Sequence, residues 1–287
     1  KSGGVDTALF AVDSSTGALT FSTAPDYDSG SACDAGNSCV VILTATSGSL
    51  TDTITVTVAI TDINDNTPIF TDGDTASASV AEGATTVATY AATDADGSSA
   101  HNTVTYSKSG GVDTALFAVD SSTGALTFST APDYDSGTAC DAGNSCVVEL
   151  TASDGTLSDT ITVTVAITDA NDQTPTYSGG DVTPSVAEGT TAVDSFTVVD
   201  TDSGDVNTCA LGGADAGSFA CAVSSDSIGI AFTTAPDYET PGSVAGTNVY
   251  AMTATISDGT NTGSALSYTV TVTDATEIII LDGQTGS

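Results

Sequence analysis

Residues 54–70 read ITVTVAITDINDNTPIF and place two patterns side by side. The first seven residues alternate branched apolar side chains with threonine or alanine, which is typical of a half-buried strand in an antiparallel sheet. Asp62, Asn64, Asp65 and Asn66 then crowd into five positions before Pro68. Because clustered carboxylates repel one another, the stretch indicates a strand followed by a linker that holds a cation.

The chain repeats itself with a period of 107 residues. The stretch KSGGVDTALFAVDSSTGALTFSTAPDYDSG begins at Lys1 and again, unchanged, at Lys108. SVAEGTTAV at 185–193 and TTAPDYE at 233–239 mark a divergent third copy. Short alternating runs separated by Gly and Asp/Ser clusters, without a helical period, predict an all-β fold of tandem Greek-key, seven-stranded β-sandwiches. We predict an incomplete first repeat over residues 1–67, a second over 68–174 and a divergent third over 175–287.

Charge and hydropathy exclude several classes of partner. The chain has 37 acidic residues, two lysines and a formal charge of −35. Nucleic acid and anionic membrane surfaces are therefore excluded as electrostatic partners. No apolar run approaches the roughly 18 residues that span a bilayer, so we predict no membrane insertion. Two explanations of the acidity stay open together, bound divalent cations and the solubility of a marine or halophilic secreted protein.

Six cysteines form three close pairs along the chain, and the first two pairs share the unit CDAGNSC. Six cysteines allow 15 connectivities, and the repeat favours local pairing. The spacing differs from C-x-x-C and no histidine stands nearby, so disulfides are predicted in place of a thiolate metal site. Disulfides indicate a compartment outside the reducing cytosol. The predicted bonds are Cys33–Cys39, Cys140–Cys146 and Cys209–Cys221.

The second repeat carries five further motifs in a fixed order. They are VAEG with Glu82, DAD with Asp94 and Asp96, NTVTYS beginning at Asn102, PDYD with Asp133 and Asp135, and TASDG with Asp154. DANDQTP closes the repeat, and the third repeat matches with Glu188, Asp200, Asp202, Asn207, Asp237, Glu239 and Asp258. In order and spacing these motifs resemble tandem cadherin repeats over nearly the whole chain. The resemblance implies a cadherin/Ig-like sandwich in each repeat.

The resemblance also implies calcium, up to three ions at each internal junction. The candidate ligands are all oxygens, which suits Ca²⁺ better than zinc, copper or iron, and Mg²⁺ is the second choice. At the first junction the implied ligands are Asp26, Asp28, Asp62, Asp65, the carbonyls of Ile63 and Asn66, and Asn64, Asp94, Asp96, Asn102 and Asp154. At the second they are Glu82, Asp133, Asp135, Asp169, Asn171, Asp172, the carbonyls of Ala170 and Gln173, and Asp200, Asp202, Asn207 and Asp258. Solvated turn or cap residues are the alternative for any single motif.

The pattern departs from the family at both ends. The first repeat starts at the equivalent of Lys108, so its own VAEG and DAD are missing, and Ser47 stands where the second repeat has Asp154. The last linker reads TDATEIIIL instead of the NDN pattern. Two interpretations stay open. Either the chain is an excerpt of a longer array, or another copy completes the first repeat by donating Ile278, Ile279, Ile280 and Leu281 as a strand.

Function is predicted by elimination among three classes. An enzyme is disfavoured because His101 is the sole histidine, is expected as a solvated loop residue, and no nucleophile–base pair stands out. Carbohydrate binding needs an exposed aromatic platform, whereas Phe10, Phe117 and Phe219 are predicted core residues. We predict a calcium-stiffened extracellular or cell-surface protein, a filament or adhesin-stalk subunit assembled head to tail from copies of itself. The alternative is a calcium-dependent adhesion or carbohydrate-binding module of a longer surface protein.

Overall fold

A computed structural model describes residues 1–276 except 31, 35, 138 and 205. The chain forms two compact units, Lys1–Thr168 and Asp169–Ser287. Across the described residues, regular structure consists of strands and three short 3₁₀ turns, at Thr7–Leu9, Thr114–Leu116 and Ala216–Ser218. The predicted all-β class is confirmed. In the same part of the chain, no helix has the length and apolarity to cross a membrane.

Residues 1–67 form two antiparallel hairpins, β1 (Phe10–Val12) with β2 (Leu19–Phe21) and β3 (Ser38–Ser47) with β4 (Leu50–Ala59). The turn DSSTG at residues 13–17 connects the first pair, and there the Asp13 carboxylate accepts the backbone N–H groups of Ser15 and Thr16 at 2.9 Å each. Hydrogen bonds from these two residues lower the pKa of Asp13 to about 2. The buried core of this repeat is small and centres on Phe10 and Val41.

Residues 69–168 form a complete sandwich. One sheet has the order β6-β13-β12-β9, the other the order β10-β11-β7, and β5 pairs with β8. The strands are β5 (Ile69–Phe70), β6 (Thr75–Ala81), β7 (Thr86–Thr89), β8 (Ala92–Thr93), β9 (Thr105–Gly110), β10 (Phe117–Val119), β11 (Ala125–Phe128), β12 (Ser145–Ser153) and β13 (Ser158–Thr168). Since β5 and β6, and β7 and β8, are halves of split strands, the sandwich has the seven strands that the sequence predicts.

Residues 176–273 form a second complete sandwich, with sheet orders β14-β16-β19-β18 and β15-β21-β20-β17. Its strands are β14 (Thr176–Ser178), β15 (Ser185–Ala187), β16 (Ala192–Val199), β17 (Thr208–Gly212), β18 (Phe219–Ser224), β19 (Ser227–Phe232), β20 (Val249–Ser257) and β21 (Leu266–Thr273). In both sandwiches the strand that leads into the VAEG glutamate runs parallel to the last strand, as β6 does with β13 and β15 with β21.

The alternating strands bury the predicted faces. In β13, Ile161, Val163 and Val165 are fully buried, and in β21 Tyr268, Val270 and Val272 are nearly so. Phe10, Phe117 and Phe219 lie in three separate hydrophobic cores, as predicted. In the first repeat β4 pairs with β3 and with no second strand among the described residues. Among the described residues, the first repeat therefore forms two hairpins and no four-stranded sheet.

The three predicted disulfides are present, and the structure contains no free cysteine. Cys33–Cys39 and Cys140–Cys146 each close a loop immediately before a long strand. Cys209 lies on β17 and Cys221 on β18, which are edge strands of opposite sheets. The third disulfide therefore fastens the two layers of the last sandwich together.

Each repeat also contains one buried aspartate that the sequence analysis did not single out. Asp6, Asp113 and Asp215 precede the 3₁₀ turns and are at most 5% exposed. Both oxygens of Asp113 accept backbone N–H groups, from Asp141 at 2.8 Å and Val147 at 2.7 Å. This carboxylate therefore attaches the disulfide loop to the start of β12. The sequence signal for this aspartate is its position, which precedes a core Phe by the same spacing in every repeat.

Candidate metal centre

Residues 61–68 lie between β4 and β5, and their acidic side chains contact the loop that follows β8. The Asp62 carboxylate accepts the Ser98 backbone N–H at 3.0 Å, and Asp28 accepts that of Gly97 at 2.6 Å. In the reverse direction, the Asn66 backbone N–H donates to Asp96 at 3.2 Å. The loop before the disulfide, the linker and the DAD loop of the next repeat therefore meet at one place.

Two overlapping groups of carboxylates form at this meeting point. In one group, single oxygens of Asp28, Asp62 and Asp96 lie within 4.8 Å of one another. In the other, oxygens of Asp94, Asp96 and Asp154 satisfy the same distance. Asp96 belongs to both groups and is almost fully buried. Carboxylates at these distances are strongly repulsive unless positive charge lies between them.

Five of this junction's predicted ligand oxygens are buried and accept no hydrogen bond from the described residues. They are Oδ1 of Asp62, Oδ1 of Asn64, Oδ2 of Asp94, Oδ2 of Asp96 and Oδ2 of Asp154. A buried charged oxygen without a partner is costly, so such oxygens point to a bound ion. The donors here are carboxylate and amide oxygens, and Ca²⁺ takes six to eight ligands of this type. The residues therefore fit calcium.

The Asn66 side chain lies among these carboxylates. Its Nδ2 group donates to Asp96 Oδ1 at 2.8 Å, Asp28 Oδ2 at 2.9 Å and Asp65 Oδ1 at 3.2 Å. The motif predicts only the backbone carbonyl of Asn66 as a ligand, and the structure adds its side chain to the site. The contact shows that the three carboxylates converge on a common point that attracts positive charge.

The carboxylates respond differently to this crowding. Burial, together with the neighbouring charges of Asp62, Asp96 and Asp65, raises the pKa of Asp28 above its ordinary value. Hydrogen bonds from Ser98 and His101 lower the pKa of Asp62, and outweigh the opposing effect of burial. Asp62 therefore stays charged at pH values where Asp28 begins to take up a proton.

The contact between His101 and Asp62 is not predicted by the sequence. The Nδ1 atom of His101 lies 3.0 Å from Asp62 Oδ2, and the histidine side chain is only 29% exposed. The expectation of a solvated loop histidine was wrong in this respect. The residue helps to orient Asp62, whose other oxygen remains available to a metal.

The remaining predicted ligands of this junction occupy its margin. Asp26 is exposed and accepts the backbone N–H groups of Asp28 and Ser29 at 3.0 and 3.1 Å. Together with Ile63 and Asp65 it lines an open cleft. Asn102 is exposed at the end of the loop after β8. Asp154 accepts the backbone N–H groups of Thr156 and Leu157, and these hydrogen bonds lower its pKa despite burial.

Within the second unit, residues 169–173 repeat this arrangement. The Gln173 backbone N–H donates to Asp202 at 2.9 Å, and that of Ser203 donates to Asp169 at 2.5 Å. Asn261 donates to the Asn171 side-chain oxygen at 3.0 Å. Asp169 Oδ1, Asp200 Oδ2 and Asn207 Oδ1 are buried and accept no hydrogen bond from the described residues. Asp258 is buried, and the Asn261 and Thr260 amides lower its pKa despite that burial.

The predicted ligands at residues 82–135 lie within the first unit. Glu82 follows β6, is 8% exposed, and accepts the Tyr134 backbone N–H at 2.7 Å. Asp133 and Asp135 flank that tyrosine, and Asp133 accepts the Ser136 backbone N–H at 3.0 Å. Glu188 repeats the contact of Glu82 in the last sandwich by accepting the Tyr238 N–H at 2.8 Å. VAEG therefore places its glutamate against the PDY loop in both complete sandwiches.

Comparison with known proteins identifies this architecture. Residues 76–168 match the family model of the cadherin domain. The second repeat therefore matches a cadherin domain. Human protocadherin Fat 1 is 35% identical over 163 residues, which are 54% of this chain and 3% of that protein. Mouse cadherin EGF LAG seven-pass G-type receptor 2 is 34% identical over 162 residues, which cover 54% of this chain and 5% of the receptor. The chain thus spans a small fraction of these cadherin relatives.

Solved cadherin structures share the fold at low sequence identity. Extracellular cadherin domains 3–6 of protocadherin gamma B2 match with a TM-score of 0.66 and 18% identity, over 93% of this chain and 65% of that chain. Mouse cadherin-23 EC22–24 matches with a TM-score of 0.59 and 22% identity, over 93% and 83%. Cadherin domains in general bind Ca²⁺, which agrees with the oxygen-rich clusters described above.

Proposed function

We propose that the chain is a calcium-stiffened structural protein of the extracellular space or cell surface, the subunit of a filament or adhesin stalk. The observation that supports this most directly is the convergence of Asp28, Asp62 and Asp96, which come from two different repeats. One buried oxygen of Asp62 and one of Asp96 accept no hydrogen bond among the described residues. Cadherin relatives make an extracellular, adhesion-type protein the expected class, and members of this family are not enzymes.

At the first junction, up to three calcium ions are assigned to the predicted residues. Bound calcium would supply the positive charge that offsets the repulsion among the carboxylates. The assigned side chains are Asp26, Asp28, Asp62, Asn64, Asp65, Asp94, Asp96 and Asp154, with carbonyl oxygens of Ile63, Asn66 and Asn102. These residues come from both sides of the proposed boundary between residues 67 and 68, so their common ligation fixes one repeat to the next.

The second junction, at the proposed boundary between residues 174 and 175, rests on sequence equivalence with the first. Its assigned residues are Glu82, Asp133, Asp135, Asp169, Ala170, Asn171, Asp172, Gln173, Asp200, Asp202, Asn207 and Asp258. The bond from the Gln173 N–H to Asp202 repeats the bond from the Asn66 N–H to Asp96. Asp169, like Asp62, accepts a backbone N–H from the loop after the acidic motif, which supports the equivalence.

Stiffness follows from the electrostatics. A chain with a formal charge of −35 has linkers that repel themselves and extend when metal is removed. Extracellular calcium modules bind typically at about 10⁻⁴ to 10⁻³ M, so the junctions are expected to be filled in calcium-rich fluids. We propose that copies then assemble head to tail, with the segment that contains Ile278, Ile279, Ile280 and Leu281 as a donated strand. That segment lies outside the described residues.

A second candidate is a calcium-dependent adhesion module of a longer surface protein. It is favoured by the small share, 3–5%, of its full-length cadherin relatives that the chain spans. One similar solved chain, protocadherin gammaB7 EC3–6, forms a cis-dimer. A carbohydrate-binding module has less support, because Phe10, Phe117 and Phe219 are buried and provide no exposed platform.

Calorimetric titration with calcium, after chelation, tests the proposal. The native chain should bind several ions at or below millimolar calcium, and Asp96→Asn should weaken the sites that it shares by roughly tenfold or more. Asp52→Asn is the matched control, since Asp52 is exposed on β4 away from the clusters. Absence of binding at millimolar calcium, or equal effects of both substitutions, would contradict the proposal.

A further inference from the structure

The side-chain amide of Asn66 lies at the point where three carboxylates of the first junction meet. Its Nδ2 atom lies 2.8 Å from Asp96 Oδ1, 2.9 Å from Asp28 Oδ2 and 3.2 Å from Asp65 Oδ1. These oxygens come from three separate segments, which are the loop after β2, the linker itself and the loop after β8. One nitrogen atom surrounded by three anionic oxygens has the arrangement of a small cation site.

An amide nitrogen is an incomplete partner for this set of oxygens. It carries two hydrogens, so it cannot give each of the three carboxylates a hydrogen bond of its own. It also carries no net charge, so the repulsion among Asp28, Asp65 and Asp96 is only partly offset. A divalent cation that accepts six to eight oxygen ligands meets both requirements better than the amide does.

Among the described residues, no lysine or arginine side chain contacts these carboxylates. The chain has no arginine, and the ammonium groups of Lys1 and Lys108 donate to backbone carbonyl oxygens within their own repeats. His101 contacts Asp62 instead, at 3.0 Å. In this part of the chain, the Asn66 amide is therefore the side-chain donor that joins the three carboxylates.

The two oxygens of Asp96 differ in their contacts with Asn66. Oδ1 accepts the backbone N–H of Asn66 at 3.2 Å and its side-chain amide at 2.8 Å. Oδ2 is buried and accepts no hydrogen bond from the described residues, as is also true of Asp94 Oδ2. An ion bound by these Oδ2 atoms leaves the Asn66 amide in place. An ion bound between Asp28, Asp65 and Asp96 Oδ1 has to take the place of the amide.

We infer that the Asn66 side chain is an internal substitute for calcium, which holds the three carboxylates together until an ion displaces it. The inference rests on the proposed calcium function. The amide can turn toward solvent because Asn66 is only partly buried. The backbone of the residue stays at the junction, since its N–H has a separate contact with Asp96.

The second unit has a side-chain amide at the equivalent position. Gln173 occupies the place of Asn66 in the repeated linker, and its Nε2 atom donates to Asp172 Oδ1 at 2.8 Å. Asn66 makes the same contact with Asp65, the equivalent of Asp172, at 3.2 Å. A neutral amide against the linker aspartate is therefore a feature of both linkers, although glutamine is longer by one methylene group.

Asn66→Ala tests the inference, because it should act in opposite directions with and without calcium. A side chain that stabilises only the metal-free junction lowers the affinity for the ion that displaces it. In chelator, protease should therefore cut the linker at residues 61–68 of the variant roughly three- to tenfold faster than in native protein. In calorimetric titration, one calcium ion should bind more tightly by the same factor. The substitution keeps the backbone carbonyl that is assigned to calcium.

Thr67→Ala is the matched control, since Thr67 is the exposed neighbour on the same linker, and both measurements should stay near their native values. Unchanged or weaker calcium binding by Asn66→Ala protein would overturn the inference, because the loss of a residue that only positions the ligands lowers affinity. The two proposals fail separately. If native protein binds calcium and Asn66→Ala does not tighten it, only this inference is removed. If native protein binds no calcium, the proposed function is removed and this inference with it.

Discussion

The carboxylate of Asp28 accepts the backbone N–H of Gly97 at 2.6 Å, across 69 residues of chain. Asp28 belongs to the PDYD motif of the first repeat and Gly97 to the DAD loop of the second. The contact places a crowded carboxylate, whose pKa is raised by burial and by its acidic neighbours, at the boundary between repeats. The repulsion between carboxylates is therefore concentrated at the boundary between repeats, where a bound cation would reduce it.

Asp65→Ala and Asp172→Ala should each loosen a different junction. Each removes one proposed carboxylate ligand at an equivalent position, and Asp65 contacts the Asn66 amide at 3.2 Å. Limited proteolysis in calcium should then cut Asp65→Ala protein near residues 61–68 and Asp172→Ala protein near residues 168–175. Cleavage at both linkers in both variants would contradict separate junctions.

Calcium binding should change the pKa of Asp28. In calcium-free protein its raised pKa means that protonation relieves repulsion, so its contribution to folding stability is greatest at low pH and is lost as pH rises through the folded pKa. Calcium should lower this pKa, because the ion favours the charged form. The carboxyl ¹³C shift of Asp28 followed against pH measures the change. Asp13, with a pKa of about 2 set by its own turn, is the control and should not respond to calcium.

The sequence predicted the sandwiches because their signals are local or repeated. Alternation in residues 161–167 specifies a buried face, and the pair Cys140 and Cys146 recurs with the 107-residue period. The contacts of His101 and of the Asn66 side chain were missed, because they join residues 30 to 39 positions apart that share no periodic pattern. The inter-sheet placement of Cys209–Cys221 also depends on which strands form edges, and a single strand's sequence does not encode that.

Asp113→Ala should destabilise the second repeat by roughly 2–5 kcal/mol, because two buried backbone N–H groups lose their acceptor. Amide hydrogen exchange should accelerate at Asp141 and Val147 before it does elsewhere in the repeat. Asp120→Ala removes an exposed turn aspartate of the same repeat and serves as the comparison. Equal acceleration at Val147 in both variants would show that the buried carboxylate does not hold the loop.

Replacing both Cys209 and Cys221 by alanine should lower the free energy of unfolding of the third repeat by roughly 3 kcal/mol, since the disulfide closes a short loop and ties two sheets together. Scanning calorimetry in saturating calcium should show one transition moving to lower temperature. The double variant of Cys33 and Cys39 is the matched comparison and should leave that transition in place. A shift of every transition would mean that the effect is not confined to the last sandwich.

Ile54 on β4 and Ile161 on β13 occupy equivalent positions of two repeats, but Ile54 is 62% exposed and Ile161 is fully buried. Ile54→Ala and Ile161→Ala therefore make the same chemical change in two different environments. Ile161→Ala should cost about 3–4 kcal/mol, because it empties part of a closed core. Ile54→Ala should cost less than about 1 kcal/mol in isolated chains, since most of that side chain is already in water. Hydrogen exchange of β4 and β13 in the two variants measures both costs. Equal losses of stability from the two substitutions would contradict the difference in burial.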